Sequence, residues 1–319
     1  MNLVAACNDR SLGDRAATSL LAIGMRHPAR AIVIVADPEG DPQLDADISL
    51  QCSADGRRVC VELVRLDVRG EPAYHLTSIV TPLLIPDMPV QLWIAGAPPL
   101  RQAFSAEAVE LTESIILDTG AYADALETLT LLDEQYAKYG DALVIADIAW
   151  QRTAPWREAM AQTFDPLERR GWLRTISAVR LQSDVAAAPA EAWLLAGWLA
   201  SRLGWHASAS PDVSFTTNND AAATRASVAG AGERARLRSV NLEMEQTSGK
   251  AQISIVHDGK SLRTTVTRER DARPVGIASC PDYDEADLIS AMMAEAGADT
   301  VYRAAVSGAV ALARRQRAG

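Results

Sequence analysis

Short apolar runs alternate with helix-period segments through the first half of this chain, and that alternation leaves few folds open. Asn2 to Cys7 and Ala31 to Ala36 read as strands, with a helix over Leu12 to Met25 between them. Ile48 to Cys52 and Arg58 to Leu66 read as two more strands, and Asp55-Gly56 between them is a hairpin signal. Apolar residues at 76, 79, 80, 83 and 84 predict a helix over 74–84, which Pro86, Asp87 and Pro89 end. A buried strand at Val90 to Ala95 follows and stops at Gly96. Further helices are expected over 101–112, 126–139 and 155–164, with strands at 114–117 and 142–148. Strand and helix in turn predict an α/β fold: a mostly parallel, partly mixed sheet with helices on both faces.

Asp165-Pro166 reads as a border, giving an N-terminal α/β domain over 1–165 and a smaller C-terminal α+β domain over 166–319. The second domain opens with a strand over 173–181 and a helix over 188–203 that Gly204 closes. Residues 206–234 are rich in Ala, Ser, Asn and Gly and read as a long loop. Runs at 235–246, 250–257 and 261–268, with Ser248-Gly249 and Asp258-Gly259 between them, predict antiparallel strands. Two helices, over 283–297 and 299–316, end the chain.

Charge narrows the partners. Residues 1–165 hold 24 acids against 12 bases, and residues 166–319 hold 17 against 19, so the net of −10 sits in the first half. An acidic first half argues against nucleic acid and against anionic membranes. No stretch approaches the roughly 20 apolar residues of a membrane span. The four cysteines, at 7, 52, 60 and 280, and four histidines have no metal-ligand spacing. Few cysteines in a long chain point to a reducing, cytoplasmic setting. Cys60, in an apolar strand, reads as inert, and Cys280, before Pro281, reads as the exposed thiol and the redox candidate.

Four strands end on an acid: Asp9, Asp37, Asp118 and Asp147. Ligands of open α/β sheets sit at such strand ends, and carboxylates there suit a metal or acid–base work. An α/β enzyme, or a metabolite-sensing module, acting on a small sugar or a metal-bound ligand is therefore one reading of the chain. Helix and turn capping is the plainer use of the same residues. No phosphate cradle accompanies them: Cys7 is followed by Asn8-Asp9-Arg10-Ser11-Leu12-Gly13, and Gly230-Ala231-Gly232 lies in a loop-like stretch. No cofactor is expected. His75 and Ser78 lack a third, orienting acid and form no nucleophile pair. Trp150, Arg152, Trp156 and Arg157 crowd one strand-to-helix corner, and Trp and Arg dominate binding hot spots.

Helix, Pro-flanked corner, strand and Gly-Ala-Pro-Pro loop, His75 through Pro98, make an unusual order. With His27-Pro28-Ala29-Arg30, Leu44-Asp45-Ala46-Asp47-Ile48, the 147–157 corner and Leu194-Leu195-Ala196-Gly197-Trp198, it resembles the glucose-6-phosphate dehydrogenase assembly protein family, OpcA. The resemblance covers about 27–205 and weakens beyond. It implies a non-enzymatic assembly factor and allosteric activator. Such a protein touches glucose-6-phosphate dehydrogenase, favours its active oligomer and so regulates the oxidative pentose phosphate pathway. Under this resemblance the partner-binding residues are His75, Ser78, Pro86, Asp87, Pro89, Trp93, Trp150, Arg152, Trp156 and Arg157. Thiol redox control, known in photosynthetic members, lacks a nearby dithiol in the C-terminal half, where Cys280 stands alone.

Overall fold

The structure, a computed structural model, describes residues 1–52, 60–98, 104–184, 189–205, 211–217, 236–246, 249–269, 271–294 and 297–318. Asp55-Gly56 and Gly230-Ala231-Gly232 lie outside the described residues. The protein is α/β, with a mixed, mostly parallel first sheet and a mostly antiparallel second sheet. Two compact units carry them. The first comprises Met1–Tyr122, Gln135–Ile148 and Tyr283–Asp299; the second comprises Ala123–Glu134, Ala149–Asp282 and Thr300–Gly319.

In the first unit seven strands lie in the order β3-β4-β2-β1-β5-β6-β7. They are β1 (Asn2–Cys7), β2 (Arg30–Asp37), β3 (Gln43–Cys52), β4 (Cys60–Arg69), β5 (Val90–Ile94), β6 (Ser114–Leu117) and β7 (Ile145–Asp147). All pairs are parallel except β3 with β4. Continuous apolar runs such as Ala31–Ile34 are buried on both faces, as a covered parallel sheet requires. On one face the Arg10–Arg26 helix buries Ala16, Ala17, Leu20 and Ile23, at 3–4 residue spacing, with the Glu285–Ala294 helix beside it. Arg15–Glu285 (3.1 Å) and Arg26–Asp287 (2.6 Å) pair those two helices. The other face packs Val4, Ile32, Ile34, Val64 and Leu66 under Ala73 and Val80.

That covering segment differs from the single helix expected over 74–84. It is a 3-10 turn (Glu71–Tyr74), a short helix (Leu76–Val80) and another 3-10 turn (Thr81–Leu83). Pro82 lacks an N–H and crowds the residue before it, so regular helix ends there. The strand expected over 142–148 is only Ile145–Asp147, and Ile148–Arg152 is helical. Helix over 101–112 is described as Ala106–Leu111.

The second unit has the strand order β13-β12-β11-β10-β8-β9. These are β8 (Ile176–Ser183), β9 (Asp212–Thr217), β10 (Leu237–Gln246), β11 (Gly249–His257), β12 (Ser261–Arg268) and β13 (Asp271–Ser279). Only β8 and β9 run parallel. Two strands exceed the expectation. The stretch expected to be one long loop contains β9, and β13 lies where the sequence offered Pro274 and no burial pattern. One face of this sheet buries Val179, Leu242, Ile253, Ile255 and Leu262 with Trp156, Phe164 and Trp172. The Ala190–Leu203 helix, capped by left-handed Gly204 (φ 64°), crosses the Thr300–Ala318 helix at Gly197 and Gly308. A Cβ on Gly197 would lie 2.0 Å from the Ala305 carbonyl oxygen and 2.5 Å from the Ala309 nitrogen.

Candidate functional site

The first sheet reverses its strand order between β1 and β5, because the chain runs outward through β2 and β4 and then restarts at β5. In doubly wound sheets that reversal opens a crevice where a dinucleotide pyrophosphate meets a helix N-terminus. The residues here do not fit that group. In the spacing Gly-x-Gly-x-x-Gly, the first two positions fall on Asn8 and Arg10 and only the third is a glycine, Gly13. Gly13 keeps the packing role, since its Cβ would meet Val35 Cγ2 at 2.6 Å. The two glycines that let phosphate approach the backbone are gone. Asp9 takes the anion's place: its carboxylate accepts from Leu12 N (2.9 Å) and Ser11 Oγ (2.7 Å). Those bonds hold its pKa below the usual carboxylate range, so the negative charge is fixed. Leu12 packs beside the end of β5: a Cβ on Gly96 would lie 2.6 Å from Leu12 Cδ1.

The strand-end acids do not converge. Asp9 follows β1 and Asp37 ends the neighbouring β2, whereas Asp118 follows β6 and Asp147 ends β7. β5 separates the pairs, and strands lie about 4.8 Å apart. Asp118 accepts from Gly120 N (3.0 Å), a capping bond. Asp147 is buried and accepts from Thr119 N (3.0 Å) and Oγ1 (2.7 Å). Burial and these two carboxylates push the Tyr122 hydroxyl well above its ordinary pKa, which keeps it neutral. Among the described residues no group of three or more His, Cys, Asp or Glu could hold a metal ion.

What the first unit does present is the segment from Glu71 to Pro89. Tyr74 (64% exposed) and Met88 (47%) are uncovered, and His75, Ser78, Pro86, Asp87 and Pro89 are exposed with them. His75 Nε2 lies 3.1 Å from Glu71 Oε1. Asp87 holds the left-handed conformation (φ 60°), which for a non-glycine marks a tightly determined turn. Asn2 determines it. Its fully buried amide donates to Ile85 O (3.1 Å) and Met88 O (3.2 Å) and accepts from Ile85 N (2.8 Å). Its backbone N–H adds a bond to Pro89 O (2.8 Å). Arg30, paired with Glu62, donates to Leu83 O (2.9 Å). Asn2, Tyr74 and Met88 escape a motif reading. The one available signal is Asn2 itself, a polar side chain opening an otherwise apolar strand.

The other expected partner-binding residues are used internally. Trp93, Trp150 and Trp156 are 4%, 4% and 5% exposed, so none offers a ring at a surface of this chain. In the second unit Arg157 stacks over Trp150, 3.6 Å from the ring centre, and donates to Thr153 Oγ1 (3.0 Å). Arg152 pairs with the buried Glu191 (3.4 Å). Trp and Arg build a corner here and its ring surfaces face inward.

The cysteines differ from expectation too. Cys52 and Cys60 are not free: they form a disulfide between paired positions of β3 and β4, and both are exposed. Cys280 is half-buried, and burial followed by Asp282 pushes its thiol up to about 11. Burial, with Asp9 next, pushes Cys7 to about 12. Both free thiols therefore stay protonated at pH 8. Alkylation of Cys280 in the folded chain is expected to run about 100-fold slower than in the unfolded chain. Mass-resolved labelling measures this, and equal folded and unfolded rates would refute it.

Two family models match the chain: the glucose-6-phosphate dehydrogenase subunit N-terminal domain over residues 21–134 and the C-terminal domain over 143–306. The putative OxPP cycle protein OpcA of Synechococcus elongatus is 27% identical over 191 residues, 57% of this chain and 41% of that protein. The protein of the same name from Synechocystis sp. is 27% identical over 187 residues, 57% of this chain and 38% of that one. The match thus spans about two fifths of these relatives' length. Among solved structures, an oxidoreductase domain protein from Kribbella flavida is 9% identical, covers 99% of this chain and 96% of that one, and has a TM-score of 0.46. That likeness says nothing about chemistry. The C-terminal model alone takes in 164 of 319 residues, and the chain belongs to the OpcA family of glucose-6-phosphate dehydrogenase subunits.

Proposed function

We propose that this chain is a non-catalytic partner of glucose-6-phosphate dehydrogenase that activates it by protein contact. It serves the oxidative pentose phosphate pathway by favouring the dehydrogenase's active, assembled state. One observation carries the reading: the exposed corner at Ile85–Pro89 is clamped by the buried Asn2 side chain, in a unit whose strand-to-helix turn lacks a phosphate cradle. A held corner loses little freedom on binding, so its contacts count nearly in full. The proposed contact residues are His75, Ser78, Pro86, Asp87 and Pro89, joined by Tyr74 and Met88. Activation needs a binding preference between the partner's two states. A shift from 1:99 to 99:1 takes about 5.5 kcal/mol. A standard interface of roughly 1,600 Å² has room for that difference.

The test measures dehydrogenase activity and assembly mass with and without this chain, and with Met88→Glu. The expected result is higher activity and a larger assembly with the unaltered chain, both diminished by the charge at position 88. Unchanged activity and mass on adding the chain would remove the proposal.

A further inference from the structure

We propose that two copies of this chain pair through β3, antiparallel, about a twofold axis at Ile48. β3 is an edge strand of ten residues, and every one is exposed. It alternates apolar Leu44, Ala46, Ile48 and Leu50 with polar Asp45, Asp47, Ser49 and Gln51. The apolar row is left open: Leu44 is 52% exposed, Ile48 65% and Leu50 68%.

Two other sheet edges, β13 and β7, carry protection that β3 lacks. β13 has Pro274, Gly276 and a register shift opposite Thr264/Thr265. β7 is three residues long. β3 has no proline and no lysine, and its ten-residue register with β4 is unbroken. A long, flat, partly apolar edge invites another strand.

The free edge has its backbone ready. Cys52 and Cys60 have Cα atoms 4.0 Å apart, the close spacing of a pair that does not exchange backbone hydrogen bonds. Alternation along the ladder turns the N–H and C=O of Leu50, Ile48, Ala46 and Leu44 away from β4, toward the open side.

The strand is complementary to itself, apolar against apolar, and charge narrows the register. With the axis at Ile48, residue i meets residue 96 − i of the second copy. Ile48 meets Ile48, Ala46 meets Leu50, Asp47 meets Ser49 and Asp45 meets Gln51. No acid faces an acid. Moving the axis to Asp47 sets Asp47 against Asp47, and moving it to Ala46 sets Asp45 against Asp47. Like charges directly opposite destabilise a strand pair, so the acids reject both slips.

Sedimentation of the full chain across a dilution series tests this. The expected mass rises with concentration from 34.2 kDa toward twice that value. Ile48→Lys sets two ammonium groups side by side on the axis and should leave only the single-chain species. Ser49→Lys sets each lysine against the other copy's Asp47, in the pair whose side chains lie closest. It should tighten the dimer by about 2- to 30-fold. Leu167→Lys, at a residue 78% exposed in the second unit, should change nothing. A single-chain mass at the highest soluble concentration overturns the proposal. So does a dimer that survives Ile48→Lys or weakens with Ser49→Lys. A single-chain mass with Ile48-dependent capture of the dehydrogenase would assign the edge to that partner and overturn self-pairing.

Discussion

Replacing Gly197 with alanine is expected to cost the second unit at least about 4 kcal/mol, and valine should prevent its folding. The new Cβ would stand 2.0 Å from one backbone atom and 2.5 Å from another, where no side chain can rotate away. Gly308 closes the contact from the other helix, with its own Cβ position 2.5 Å from the Gly197 carbonyl oxygen. Relief requires the two helices to move apart along their length, which empties a close-packed seam. A mid-helix glycine costs roughly 1 kcal/mol against alanine, so at an open site this substitution would stabilise. The sign of the change is therefore the test. Six of the seven tryptophans lie in the second unit, so urea unfolding followed by tryptophan fluorescence reads it directly. A Gly197→Ala midpoint equal to or above that of the unaltered chain refutes the packing argument.

Asn2→Leu is expected to lower stability by about 2–4 kcal/mol and to loosen Ile85–Pro89. The substitution is close in volume and leaves β1 apolar. It strips partners from Ile85 N, Ile85 O and Met88 O, three backbone groups that the amide satisfies at once. Buried groups left without partners cost more than the bonds themselves were worth. Limited proteolysis should then cut near residues 85–89, where the unaltered chain is expected to resist. On the proposed function, dehydrogenase activation should fall with it even at temperatures where the variant is folded. Protease resistance equal to the unaltered chain would show that the corner holds itself.

Elements buried on a defined face were legible in the amino-acid order. β6 matches its expected span of 114–117, because four apolar-flanked residues stop at a capping aspartate. The helix ending at Gly204 and the three central antiparallel strands follow their apolar periods closely. The outer strands were not legible in full. Gln43–Asp47 and β13 are exposed on both faces, so burial leaves no alternation for periodicity to register. The first sheet's lack of a phosphate cradle was half-readable: absent glycines show in the spelling, whereas Leu12 against Gly96 requires the folded geometry. Tryptophan and arginine mislead for a physical reason. The same large, polarisable groups fill interiors and anchor interfaces, and composition alone does not separate the two.

A carboxylate seated at the start of the Arg10–Arg26 helix is a permanent substitute for a diffusible anion. Proteins that hold nucleotides gain stability as the nucleotide concentration rises above its dissociation constant. The first unit carries this counter-charge in its own covalent chain, so the capping of that helix start does not depend on a bound anion. On the proposed function, a chain built this way meets the dehydrogenase without first having to capture an anion at that helix start.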